Sequence, residues 1–177
     1  MGHRHYYLAV GNPAMKLPTL TNLLNELDAQ EPTLSVVVVA NSRDTLDELV
    51  SSISSLGYET SFLHSDMHSG WRRSVLEGFN ETSGAGGSRS KMAVLVSSDV
   101  CMPVPASGEL RTRVRLLVSY DIPSRKEEQQ LRATCVAEGG ILINVLAANE
   151  VSMLKSLEGL AGAAVEEIPL ILSELFE

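Results

Sequence analysis

Small polar and acidic side chains follow two apolar runs, and they are the first candidates for chemistry. Ser97, Ser98 and Asp99 come after the run 92–96, and Tyr120 and Asp121 come after the run 114–118. In open α/β sheets the working surface lies past the carboxyl ends of the strands, where such groups would stand. Asn41-Ser42-Arg43-Asp44 offers a helix cap, and Arg72 and Arg73 stand together in a later helix. A hydroxyl, a guanidinium and a helix N-terminus together grip phosphate without reading sequence. The plainer reading of Arg72 and Arg73 is a solvated helix face, and of Ser98 and Asp99 a cap or loop-organising hydrogen bonds. Arg111, Arg113 and Arg115 alternate and so share one side. They read as an anionic-partner patch or as an edge-strand guard against aggregation, the commoner case.

Other chemistry finds less support. His64-x-Asp66-x-His68 has the types of metal ligands but no evident third partner, so no metal is expected. His3 and His5 point to one side of an N-terminal strand and read as surface or appended residues. The stretch Gly84-Ala-Gly-Gly-Ser-Arg-Ser lacks the lysine of a phosphate loop and follows a helix, which makes it a linker. There is no Gly-x-Ser-x-Gly elbow, and Cys101 and Cys135 have no histidine nearby in sequence. Neither cysteine belongs to a C-x-x-C pair, which argues against a disulfide framework or thiolate zinc site.

The elements that must position these residues alternate in type. Strands are expected at 5–10, 34–40, 59–63, 92–96, 114–118 and 141–146, with a short edge strand after 165. Helical spacing of apolar residues predicts helices beginning near Leu17, after Ser42, through Trp71, Val75, Leu76 and Phe79 facing inward, over 124–137, over 151–160, and at the C-terminus beyond Pro169. Residues 81–90 read as a mobile surface loop and 103–112 as an extended loop. Runs apolar at consecutive positions mark strands buried on both faces, so the fold class is α/β with a mainly parallel central sheet flanked by helices.

With 177 residues and 44% hydrophobic content, residues 1–177 suit a single domain. No apolar run approaches the ~20 residues of a membrane span, and no long apolar signal core opens the chain. The expectation is a soluble, intracellular protein with no membrane partner, its compartment (cytoplasm, nucleus or organelle) undecided. A net charge of −8 argues against adhesion to nucleic acid through the overall field, and no DNA specificity is expected.

The ordered series Val36-Val-Val-Val-Ala-Asn41-Ser42-Arg43, Leu63-His64-Ser65-Asp66-Met67 with Arg72, Val94-Leu-Val-Ser-Ser98-Asp99-Val100 and Val118-Ser-Tyr120-Asp121-Ile122-Pro123 resembles the C-terminal RecA-like domain of DEAD-box RNA helicases. The likeness covers nearly the whole chain and implies a RecA-like three-layer sandwich. It implies RNA-backbone contacts at Asn41, Arg43, Arg72, Ser98 and Asp99, weakened because Ser65 and Ser69 replace the family's usual glycine and glutamine. The family's Arg-Gly-x-Asp loop is missing: Ala106 lies in its place, and the loop lengthens through Ser107, Gly108 and Glu109. Arg132 matches the first arginine of the family's finger helix, but Cys135 and Glu138 stand where the arginine fingers would be. A guanidinium speeds phosphoryl transfer roughly a thousandfold or more, and a thiol or carboxylate cannot replace it. No cofactor is expected, with ATP and Mg entering only if an N-terminal RecA-like domain completes the site. The implied role is a non-catalytic module for RNA or a protein scaffold, possibly of helical repeats, with one half of an RNA-dependent ATPase as the alternative.

Overall fold

The structure, a computed structural model, describes residues 2–84, 91–104 and 107–177. Its centre is a sheet of seven strands in the order β3-β4-β2-β5-β6-β1-β7. The strands are β1 (Arg4–Val10), β2 (Ser35–Ala40), β3 (Glu59–Leu63), β4 (Ala93–Ser98), β5 (Val114–Ser119), β6 (Val136–Ala147) and β7 (Val165–Glu167). Every pairing is parallel. All six residues of β2 are buried, as four consecutive valines require of a strand covered on both faces.

The alternation along β2 sorts the core. Val36, Val38 and Ala40 pack with Leu20, Leu24 and Leu27 of α1 (Lys16–Gln30) and Leu46, Leu49 and Ile53 of α2 (Arg43–Ser55). Val37 and Val39 face the other way, into a cluster with Leu76 and Phe79 of α3 (Ser69–Gly84) and Leu131 of α4 (Lys126–Thr134). Leu157 of α5 (Leu154–Ala161) joins Ile122, Leu146 and Val165 in a third cluster. Helices therefore lie on both faces of the sheet, the three-layer arrangement.

Local chemistry explains the sharp boundaries. Ser42 takes the Thr45 N–H on its side chain and caps α2. Gly57, at φ 86°, follows the last turn of that helix in the left-handed conformation glycine supplies.

Elsewhere the elements depart from the sequence pattern. The helix expected over 124–137 ends at Thr134, and β6 begins two residues later. Cys135 O accepts the Val114 N–H at 2.8 Å, so the chain goes straight from helix to sheet. Twelve residues of β6 replace the six expected, because its register with β5 shifts between Val114 and Leu116. Gly139 at φ 75° and Gly140 make that bulge. The helix expected at 151–160 starts as a 3-10 segment, Ala148–Met153. Residues 81–84, expected in a loop, continue α3, where the Thr82 hydroxyl bonds back to Gly78 O at 2.9 Å; 85–90 lie outside the described residues. Trp71, expected inward, is 41% exposed. Arg115 lies in β5, the middle strand, so the edge-guard reading of 111–115 is overturned; its guanidinium sits over the Phe176 ring at 4.9 Å.

Candidate functional site

Parallel register brings the carboxyl ends of β4, β2 and β5 side by side: Ala40 pairs with Ser98, and Val39 with both Ser97 and Ser119. Tyr120 and Asp121 then fold over β2, both N–H groups donating to Val39 O at 3.0 and 3.3 Å. The exposed Asn41 donates its backbone N–H to Asp121 Oδ2 at 2.9 Å. The polar residues singled out in the sequence thus converge on one face.

A buried arginine holds that face together. Arg132 of α4 is 0% exposed, and its guanidinium grips both oxygens of Asp99, at 2.8 Å from Nε and 2.7 Å from Nη2. Nη1 donates to Asp121 O at 2.6 Å, tying the ends of β4 and β5 to one side chain. Burial pushes the Asp99 carboxyl up against the pull of Arg132, and neighbouring Glu128 adds to the upward push. Glu128 is itself held below its ordinary value: burial opposes this, but bonds from Ser124, Asp99 and Arg125 outweigh it. Ser98 is buried, and Ser97 Oγ donates to its carbonyl at 3.0 Å. Asp99 and Ser98 accordingly organise the loop from within.

The exposed Arg43 and the half-buried Arg72 are engaged as well. Arg43 donates from Nε to Asp47 Oδ1 and from Nη1 to Asp66 Oδ2, both at 3.0 Å. Arg72 at the start of α3 donates from Nη2 and Nε to Glu109 Oε2, at 2.9 and 3.2 Å, and from Nη2 to Cys101 O at 3.1 Å. Glu109 also takes the Val104 N–H on Oε1 at 3.3 Å, which fixes it against the lengthened loop. A groove of about 350 Å³ runs beside this pair, lined by Ser69, Arg73, Leu76 and Leu110. Sequence reasoning named Arg72 but missed Glu109 as its partner, and it missed Glu128 entirely. The lengthening of the loop was the only signal.

The positions matching the arginine fingers lie elsewhere. Cys135 is 2% exposed in the apolar cluster of Val114, Leu117 and Leu142, beside the first residue of β5 and so at the amino end of the strands. Burial pushes its thiol up to about 11, with the Thr134 hydroxyl pulling the other way. Glu138 is exposed near the start of β6, and Ala106 lies outside the described residues. Neither Cys135 nor Glu138 reaches the strand-end face. The run from His64 to His68 builds a turn: His64 Nδ1 accepts from Asp66 N–H at 3.2 Å, and His68 Nδ1 from Trp71 N–H at 3.1 Å. Among the described residues no cluster of three or more His, Cys, Asp or Glu could hold a metal ion, and no helix is long and apolar enough to cross a membrane.

With this geometry in place, the likenesses to known proteins take on meaning. The pattern of the helicase conserved C-terminal domain matches residues 15–134. The ATP-dependent RNA helicase eIF4A of Aspergillus niger is 27% identical over 177 residues, a match covering 98% of this chain and 40% of that protein. The chain thus spans about two fifths of the length of the curated relative it matches. Escherichia coli DEAD-box protein SrmB, solved bound to regulator of ribonuclease activity A, superposes with a TM-score of 0.73 at 21% identity, covering 99% of this chain and 94% of that one. Saccharomyces cerevisiae Dbp5, solved bound to RNA and ADP BeF3, gives a TM-score of 0.75 at 19% identity over 99% of this chain and 46% of Dbp5.

Proposed function

The chain belongs to the helicase conserved C-terminal domain family, as a C-terminal RecA-like domain of the DEAD-box type, and from that premise we propose that it is a non-catalytic binding module whose main partner is a protein. One observation carries the reading: the guanidinium of Arg72, which the resemblance assigns to an RNA phosphate, is taken by the Glu109 carboxylate. Arg43 is likewise shared between Asp47 and Asp66. With a net charge of −8 behind them, cations already neutralised offer phosphate little. The resemblance leaves no arginine at its finger positions, and that sequence departure alone supports the absence of catalysis, since Cys135 and Glu138 lie at the amino end of the strands, away from the strand-end face. Protein-bound relatives such as SrmB with its regulator make a protein partner a natural use of this fold. A helical-repeat scaffold remains the candidate, joined to RNA only weakly.

The alternative reading is one half of an ATP-dependent RNA helicase, completed by an N-terminal RecA-like domain that would bring ATP and Mg. It is favoured by the match of the whole chain to two fifths of eIF4A.

Titrating single-stranded RNA at two salt concentrations into the wild type and Glu109→Gln tests the binding side. The wild type should bind weakly, while the variant, with Arg72 released, should bind more tightly and with a log–log salt slope steeper by about 0.7. Tight wild-type binding that Glu109→Gln leaves unchanged would transfer the function to RNA.

A further inference from the structure

One open aromatic ring on the strand-end side has no role in the pairings above. Trp71, the single tryptophan of the chain, opens α3 just past the carboxyl end of β3 and is 41% exposed. Its position is fixed by three neighbouring rings. The indole meets His64 at 5.3 Å and Phe62 at 6.5 Å between centroids, at interplanar angles of 90° and 78°, and His68 at 6.3 Å, tilted by 51°. The support is itself braced, because His64 is buried and stacks on Phe62 at 5.5 Å. None of the three rings lies flat against the indole, so its offset-stacked geometry is unused.

His68 places a hydrogen-bond donor beside this ring. Its Nδ1 accepts the Trp71 backbone N–H at 3.1 Å, so the ring hydrogen is on Nε2 of a residue open to solvent. The imidazole packs on Gly70, where a Cβ would come within 3.4 Å of its Cε1 and Nδ1. An aromatic face with a held N–H at its side suits a nucleobase, which stacks through its plane and accepts through a carbonyl or ring nitrogen at its edge. An apolar protein side chain would use the indole and leave the donor unmet. The cations nearby are occupied: Arg43 meets Asp66, Arg72 meets Glu109, and Arg73 meets Glu77. Contact with a single strand then falls to stacking, which releases no counterions.

We propose that Trp71 and His68 seat one unpaired nucleobase, stacked on the indole and hydrogen-bonded from His68 Nε2, so that the domain meets RNA through a base and not through the backbone. This rests on the reading above that the arginines are spent and RNA is bound only weakly. Short single-stranded oligo(U) and oligo(A), titrated into the whole chain at two salt concentrations while the Trp71 emission is followed, test it. The expected result is saturable quenching with a log–log salt slope no steeper than about 0.7, the value for one neutralised phosphate of a single strand. Trp71→Leu keeps apolar bulk against His64 and Phe62 but removes the π-face, and should weaken binding of an end-labelled strand by about tenfold. Trp71→Phe should retain part of what Trp71→Leu loses, and it keeps the test decisive if the leucine variant fails to fold. His68→Phe, which keeps a ring and removes the donor, should weaken binding by about fivefold. No saturable quenching by either strand, a steeper salt slope, or equal binding by Trp71→Leu and the wild type would each overturn the proposal. A blue shift on adding the apolar dipeptide acetyl-leucyl-leucine amide, without quenching by RNA, would overturn it in favour of a protein contact. Any of these failures leaves the Glu109→Gln test standing, because that variant frees Arg72 and not the indole.

Discussion

The strand-end face is governed at the scale of single residues by arginines that have found acids. Arg132 and Asp99 are the extreme case, with both guanidinium edges spent inside the protein. Removing one partner of a buried pair leaves an uncompensated charge, so Arg132→Ala should cost about 3–5 kcal/mol, a large part of the roughly 5–15 kcal/mol that holds a domain folded. Urea unfolding measures it, and a loss under about 1 kcal/mol would mean that Asp99 finds water or another donor. Two buried acids set an alkaline limit. Cys135 is pushed up to about 11 from its ordinary 9.0, and Tyr120 to about 12 from 10.0, burial being the largest cause in both. The unfolded chain gives up those protons first, so their contribution is intact below about pH 9 and is lost as pH rises toward 11 and 12. Unfolding free energies measured at about pH 8 and about pH 10.5 should fall between the two, and a flat profile would contradict this. Ser98 and Asp99 were legible as polar residues at a strand end, while Asn41, Arg43 and Arg72 were named through the family resemblance. Their partners were not, because Arg72 meets Glu109 across 37 residues and Arg132 meets Asp99 across 33, separations that no local periodicity records.

At the scale of elements, legibility followed how completely an element's own residues decide its state. β2 came out within one residue because its four consecutive valines end at a helix cap, and β3, Glu-Thr-Ser-Phe-Leu, came out at its full length between the Gly57 stop and the polar turn at His64. α4 and β6 were misjudged at their junction, where Cys135 and Val136 could prolong an amphipathic helix but are drawn into the sheet by Val114. Tertiary pairing outweighed local preference there. The bulge that follows depends on the absence of a side chain at Gly140, where a Cβ would come within 2.5 Å of Val136 Cγ1 and 2.8 Å of Ala137 O. Gly140→Ala should therefore destabilise by about 1–3 kcal/mol and lower the thermal midpoint. An unchanged midpoint would show that the bulge relaxes freely.

On the scale of the whole molecule, a seven-stranded parallel sheet between two helical layers is kept while the groups on its working face bond to one another. The sheet and its order of motifs were readable because parallel strands buried on both faces write long apolar runs. Which surfaces stay open was not, since that depends on a loop acid reaching back to α3. Calorimetric titration of Mg·ATP into the folded chain, alone and with saturating single-stranded RNA, tests whether the domain binds without catalysis. The expected result is no saturable heat in either case; saturable micromolar binding, above all binding that RNA strengthens, would contradict it.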